Sequence, residues 1–171
     1  MIHIYHGNGK GKTTAAMGLA LRALGVGYRV VIVQFLKGGE SGEIEMLCQL
    51  PNVTILRGKN STKFSFQMNE DEKKAATALH DDHLEQATAW IERGECDLLI
   101  LDEILDALAT GLLDEKRLRT LLANRPDEWE LVLTGRNPPA FLRDAADYIT
   151  EMRCEKHPYE RGIAARKGIE F

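Results

Sequence analysis

Along the chain, short apolar runs alternate with stretches whose apolar positions recur at helical spacing. Residues 1–6 predict a short strand that stops at glycines, and residues 12–24 a helix ended by Gly25. Residues 29–36 (RVVIVQFL) alternate too little for a surface strand, which predicts burial on both faces. A short helix over 43–50, stopped by Pro51, leads to a strand at 53–56 and a loop over 58–68. Asn69 then has the character of an N-cap. Glu70, Asp71 and Glu72 follow it in the first turn, where the positive end of the helix dipole favours acids. That helix runs to about Arg93, with a face made by Ala76, Leu79, Ala87, Trp90 and Ile91. Buried strands are predicted again at 97–101 (DLLIL) and 130–134 (ELVLT), with a candidate last strand at 148–152.

Strands that alternate with helices require right-handed crossovers, so the sheet should be mostly parallel and covered on both faces. No repeat, low-complexity segment or Pro-rich linker divides the chain, which predicts one domain over residues 1–171. In such sheets ligands bind beyond the carboxyl ends of the strands, so the residues after each strand carry the search for function. Charge narrows the search. The formal net charge is -4 and the pI about 5.8, so no global basic field draws nucleic acid or an anionic membrane. A bound anion must be held by a local arrangement. No apolar run reaches membrane-spanning length, the N-terminus lacks the pattern of a signal peptide, and a cytoplasmic location is expected. Cys48, Cys96 and Cys154 are odd in number and far apart, which argues against a disulfide framework or a thiolate metal site.

The first strand is followed by Gly7-Asn8-Gly9-Lys10-Gly11-Lys12-Thr13-Thr14. Glycines let backbone N–H groups turn around phosphate oxygens, and the next helix offers its positive end. Lys12 adds a mobile cation, and the Thr13 hydroxyl is placed to ligate a magnesium ion shared with the phosphates. The usual phosphate-loop pattern has a glycine five residues before Gly11; this chain has His6, so Gly7 and Gly9 are expected to supply the turn. The strand at 97–101 delivers a second element, Asp102-Glu103, to the carboxyl edge. There a phosphate-loop protein keeps its second metal-holding group. The bland alternative is a pair of helix-start acids. Together the two motifs predict an α/β protein of the P-loop NTPase-like kind, a three-layer sandwich around a mostly parallel central sheet.

Other strand ends carry Gln34 with Lys37, and Thr134-Gly135-Arg136-Asn137. The Arg136 guanidinium could bind a triphosphate through paired hydrogen bonds and offset charge on a leaving group. An exposed loop arginine is its alternative, and for Gln34 and Lys37 the two readings are balanced. His80 and His83 lie one helical turn apart, but beside Asp81 and Asp82 they suggest a solvated face rather than a zinc site. Phe64 and Phe66 flank Ser65 in a polar loop, where aromatics more often pin a loop to the core. Arg161, Arg166 and Lys167 have the character of a solvated tail.

These motifs give nucleotide binding but no reaction. At this point the chain resembles the P-loop type of ATP:corrinoid (cob(I)alamin) adenosyltransferases. The resemblance rests on GNGKGKTTAA at 7–16, VQFLKG at 33–38, LDEI at 101–104, LTGRN at 133–137 and KHPYERGIAARKGIEF at 156–171. It implies transfer of the 5'-deoxyadenosyl group of ATP to Co(I) of a reduced corrinoid, cobalamin or a precursor, with release of triphosphate. It implies nucleotide binding by Gly7, Asn8, Gly9, Lys10, Gly11, Lys12, Thr13, Thr14 and Arg136, with Lys12 and Arg136 as the catalytic pair. A magnesium ion would be held by Thr13 and Glu103, with Asp102 behind. Phe64 and Phe66 match the spacing of an aromatic pair that the family places under the corrin ring, where it eases reduction to Co(I). The second ring of that pair is commonly tryptophan and here is phenylalanine. The resemblance further implies a homodimer and an electron donor of the flavoprotein type. Better-known members carry an extension before the first strand that covers the active site, whereas this sequence starts at the strand. Two rival readings remain open: a nucleoside or small-molecule kinase using the same loop, and an ATP-gated binding module with 58–68 as its switch.

Overall fold

The computed structural model describes residues 1–39, 41–58, 65–126 and 128–170, Phe66 by its backbone alone. Six strands, β1 (Ile2–His6), β2 (Val30–Gln34), β3 (Val53–Arg57), β4 (Leu98–Asp102), β5 (Glu130–Thr134) and β6 (Tyr148–Glu151), form one sheet in the order β3-β2-β4-β5-β1-β6. All five pairings are parallel. The crossovers carry α1 (Lys12–Gly25), α2 (Gly42–Leu47), α3 (Glu70–Glu92), α4 (Ile104–Ala109), α5 (Glu115–Ala123) and α6 (Ala140–Ala145).

The run Val30-Val31-Ile32-Val33 shows why the strands lack surface alternation. Val30 and Ile32 join Leu98, Ile100 and Val132 under α1 and α2, where Ala16, Ala20 and Ala23 let α1 approach closely. Val31 and Val33 join Leu99, Leu101, Leu131 and Leu133 on the opposite face, covered by α3, α4, α5 and α6 through Leu84, Ile104, Leu118 and Leu142. The sheet is therefore the middle of three layers, each face sealed by an apolar contact.

Asn69 caps α3 as expected. Its side chain accepts from the Glu72 N–H, and the Glu72 carboxylate accepts from the Asn69 N–H, a reciprocal capping box. The face of α3 differs from the sequence expectation. Leu79 is exposed and Ala76 and Trp90 are half-buried, whereas His80 and His83 are buried with Leu84, Ala87 and Ile91. The two histidines thus do not form a solvated face. Asp81 and Asp82 point elsewhere because neighbouring helix positions are about 100° apart. His80 Nδ1 is 2.7 Å from the Leu112 carbonyl, and its Nε2 accepts from the Leu36 N–H at 3.4 Å. Burial lowers the pKa of both imidazoles. His80 is a core residue that ties α3 to the end of β2.

The register decides what meets at the carboxyl edge. Gln34 pairs with Asp102 across β2 and β4, Leu101 pairs with Leu133 across β4 and β5, and Tyr5 pairs with Thr134. The ends of β1, β2, β4 and β5 therefore lie side by side, and their next residues share one rim.

Candidate functional site

The loop after β1 is shaped by a close backbone approach. A Cβ on Gly7 would lie 2.5 Å from the Met152 carbonyl oxygen, and one on Gly9 would lie 2.7 Å from the same atom. Gly7 also sits at φ +109, where a side chain is strained. His6 stands before this turn, buried at the end of β1, and its carbonyl accepts from the Met152 N–H at 2.7 Å. A glycine at position 6 is unnecessary because the turn begins one residue later.

Gly7 N–H donates to the Arg136 carbonyl at 3.1 Å, Gly9 N–H to the Met152 carbonyl at 2.7 Å, and Cys154 N–H to Asn8 Oδ1 at 3.0 Å. Gly7, Asn8 and Gly9 thereby tie the loop to the ends of β5 and β6. Lys10, Gly11, Lys12, Thr13 and Thr14 line a cavity of about 510 Å³. The first N–H groups of α1 have no intrahelical acceptor, so the positive end of the helix lies at this cavity. Glu43, Ile169 and Glu170 line it as well. The tail thus returns to the loop, its own last turn braced internally by the Arg166–Glu170 ion pair. Its basic residues are exposed, as expected, but its last described residues form part of the wall.

Three cations converge here. Lys12 Nζ donates to the Gly9 carbonyl at 2.8 Å. Burial holds the Lys12 pKa below its usual value; the Arg136 and Lys37 charges lower it further, and Asp106 and Glu103 offset part of the effect. Arg136 is exposed, and its N–H donates to Asp106 Oδ2 at 3.1 Å. Lys12 and the Arg136 guanidinium, only partly offset by the neighbouring carboxylates, favour a polyanionic ligand.

Facing them is the end of β4. Asp102 is fully buried, and its carboxylate accepts four hydrogen bonds. Oδ1 takes one from Thr13 Oγ1 at 2.9 Å and one from Thr134 Oγ1 at 2.7 Å. Oδ2 takes one from Gln34 Nε2 at 3.1 Å and one from Lys37 Nζ at 3.0 Å. The Thr134 hydroxyl also accepts from the Glu103 N–H at 2.8 Å. Glu103 has φ 62, a left-handed conformation that costs a non-glycine residue about 1–3 kcal/mol. Although it occupies the N-cap position of α4, its side chain makes no capping bond. Its Oε1 instead lies 3.2 Å from Lys37 Nζ. Burial raises the Glu103 pKa despite the lowering influence of Lys37, with Asp102 and Asp106 adding to the rise.

Thr13, Asp102 and Glu103, the residues expected to hold a metal, thus present hard oxygens to one point. The Lys37 ammonium stands there as a stand-in cation, 2.9 Å from Thr13 Oγ1. That donor set fits magnesium. Among the described residues no group of three or more His, Cys, Asp or Glu side chains is placed to hold a metal ion. Phe64 lies outside the described residues, and Phe66 is described only by its backbone in a short 3-10 turn (Ser65–Gln67).

The sequence marks Thr134 only as part of a polar strand end, with no role of its own, and does not mark Asp106. Thr134 ends a buried strand with a hydroxyl, the one local signal it carries; Asp106 follows Glu103 by one helical turn.

A parallel sheet whose first strand turns through a glycine loop into α1, facing a buried carboxylate at the end of β4, defines a P-loop nucleotide-binding protein. Comparison with known proteins narrows that class. The family described as ATP:corrinoid adenosyltransferase BtuR/CobO/CobP matches residues 1–171, and the chain belongs to it. A corrinoid adenosyltransferase of Pseudomonas aeruginosa is 35% identical over 98% of this chain and 82% of its own length. One from Escherichia coli K12 is 30% identical over 100% of this chain and 85% of its own. A third, from a Sinorhizobium species, is 33% identical over 100% and 80%.

Proposed function

We propose that this protein transfers the 5'-deoxyadenosyl group of ATP to the cobalt of a reduced corrinoid and releases triphosphate. The family match along the whole chain carries the reading, and the cavity supports it. Neither the kinase nor the ATP-gated module is favoured by these relatives.

The chemistry is displacement at the ribose C5' by Co(I), a strong nucleophile, so no protein base is required. The protein positions the substrates, stabilises the departing polyphosphate and excludes water. The N-terminus of α1, Lys10, Lys12 and the Arg136 guanidinium would bind the triphosphate, with Lys12 and Arg136 taking up charge as the C5'–O bond breaks. Gly7, Asn8 and Gly9 would act by holding the loop against 152–154. Thr13 and Glu103 would hold a magnesium ion, with Asp102 orienting Thr13 and a bound water. The ion would supply further neutralisation of the polyphosphate. Phe64 and Phe66 are proposed to lie under the corrin ring and exclude a lower cobalt ligand. A homodimer and a flavoprotein-type electron donor belong to the same proposal. A cytoplasmic site of action belongs to the same proposal; no helix among the described residues is long and apolar enough to cross a membrane.

The test is incubation with ATP, magnesium and chemically reduced corrinoid, following the visible spectrum and the phosphate products. Triphosphate with formation of the Co–C bond is expected. ADP would establish the kinase, and absence of turnover the binding module.

A further inference from the structure

The Lys37 ammonium, the stand-in cation of the site, touches all three side chains at the end of β4 and the start of α1. Nζ lies 2.9 Å from Thr13 Oγ1, 3.0 Å from Asp102 Oδ2 and 3.2 Å from Glu103 Oε1. These are the three side chains that would hold the divalent cation. The side chain is brought there by the turn after β2. Phe35 N–H donates to the Asp102 carbonyl at 2.9 Å, and Leu36, at φ 56, donates its N–H to His80 Nε2. A left-handed leucine is strained, so the end of β2 is held in a conformation that returns residue 37 over the strand ends. Burial opposes the Lys37 charge, but Asp102 and Glu103 overcome it and raise the Lys37 pKa. Asp102 has no access to solvent, so an absent counter-charge would leave it isolated in the interior.

We propose that Lys37 is an internal counter-cation that occupies the divalent-metal position in the nucleotide-free protein and moves onto the polyphosphate when metal and nucleotide enter together. An ammonium and a divalent cation cannot share three oxygens at contact distance, because their repulsion in a partly desolvated site is large. The same cavity that exposes Lys37 is lined by Lys10 and Lys12, so a polyphosphate seated there lies within reach of the displaced ammonium. The exchange keeps the buried carboxylate paired in both states. It also imposes an order: the protein takes up metal with the nucleotide and not before it. The proposal rests on the assignment of Thr13, Asp102 and Glu103 to the metal.

The experiment uses the full chain without nucleotide, with Mn²⁺ as the probe and loss of the free-ion EPR signal as the readout. Lys37→Met should bind Mn²⁺ at least about tenfold more tightly than the parent, because a cation has left the site. Adding Glu103→Gln to that variant should abolish the gain. In a second arm, Lys37→Met should bind inorganic tripolyphosphate with magnesium more weakly than the parent, a loss that a purely structural counter-ion would not produce. Lys37→Gln, which keeps a donor for Asp102, repeats both arms if the methionine variant does not fold. In the parent itself, the ¹⁵N–¹H signal of the Lys37 ammonium should stay in place with magnesium alone and shift when tripolyphosphate joins it. Superimposable Mn²⁺ titrations, unchanged tripolyphosphate affinity or a full shift with magnesium alone would each overturn the exchange. Failure of the adenosyl-transfer reading would show separately, as no triphosphate from ATP and reduced corrinoid.

Discussion

Thr134 tests the geometry most directly, because one hydroxyl joins the Asp102 carboxylate to the Glu103 backbone. Its oxygen donates to Asp102 Oδ1 at 2.7 Å and accepts from the Glu103 N–H at 2.8 Å. Thr134→Val keeps the volume and removes both bonds. A hydrogen bond to a charged acceptor contributes about 1.5–3 kcal/mol, and a buried N–H left unpaired costs about 1–3 kcal/mol. The two are coupled through one atom and do not add fully, so a loss of about 3 kcal/mol is expected. For a chain of this size that corresponds to a Tm lower by roughly 6–12 °C. Thr134→Ser keeps the hydroxyl and should recover most of the difference, leaving only the small cost of a lost methyl. Urea unfolding of the three proteins measures it, with the midpoint shifting and the slope unchanged. Glu103, no longer anchored at its strained φ, should also require more magnesium for half-maximal turnover. A valine variant within about 0.5 kcal/mol of the parent would refute the reasoning, since surface substitutions commonly fall in that range.

Other variants probe separate parts of the site. Lys12→Ala should nearly abolish turnover with little change in unfolding midpoint, because Lys12 lies at the cavity and not in the core; near-normal kinetics would remove the loop from the mechanism. In the parent, kcat/KM should fall with rising pH below the ordinary lysine range, since a lowered Lys12 pKa means its charge is lost earlier. Glu103→Gln should weaken magnesium dependence more than nucleotide affinity, because an amide keeps the shape and loses the charge a hard cation prefers; matching magnesium titrations would leave Glu103 as a helix-start acid only. Cys96, buried and with its thiol pushed up to about 11 by burial, should resist alkylation at pH 8, where only about a thousandth is thiolate, while exposed Cys48 reacts. Equal labelling of both in the native state would contradict that burial. Replacing Phe64 and Phe66 with Ala should slow adenosylation from Co(II) far more than from ready-made Co(I), and equal losses would make them loop anchors.

What the sequence disclosed about the fold follows from how locally each feature is encoded. Strands buried on both faces, such as Val30–Gln34, have no polar positions to obscure them, and the glycine loop and the Asp102-Glu103 pair are contiguous. The burial stripe of α3 was less legible. A histidine counts as polar in any periodicity argument, and the acids at 81 and 82 reinforced that bias. Only the packed structure shows the His80 ring bonding to Leu112 and Leu36.

The site itself depends on a non-local fact, the strand order. β4 lies between β2 and β5, so the register sets Gln34 against Asp102 and brings Thr134 to its other side. Nothing in the local sequence of 130–134 says which strand Thr134 will neighbour. A slip of one residue in β4 would turn Asp102 to the opposite face and present Leu101 to the hydroxyls of Thr13 and Thr134. The core opposes that slip little, because β4 is apolar on both faces and Leu98 and Ile100 would simply trade places with Leu99 and Leu101. What opposes it is the burial of Asp102 away from its four hydrogen-bond partners. The apolar run thus makes the strand visible in the sequence, whereas its register is held at the polar end, by the buried carboxylate on which Thr13, Gln34, Lys37 and Thr134 converge.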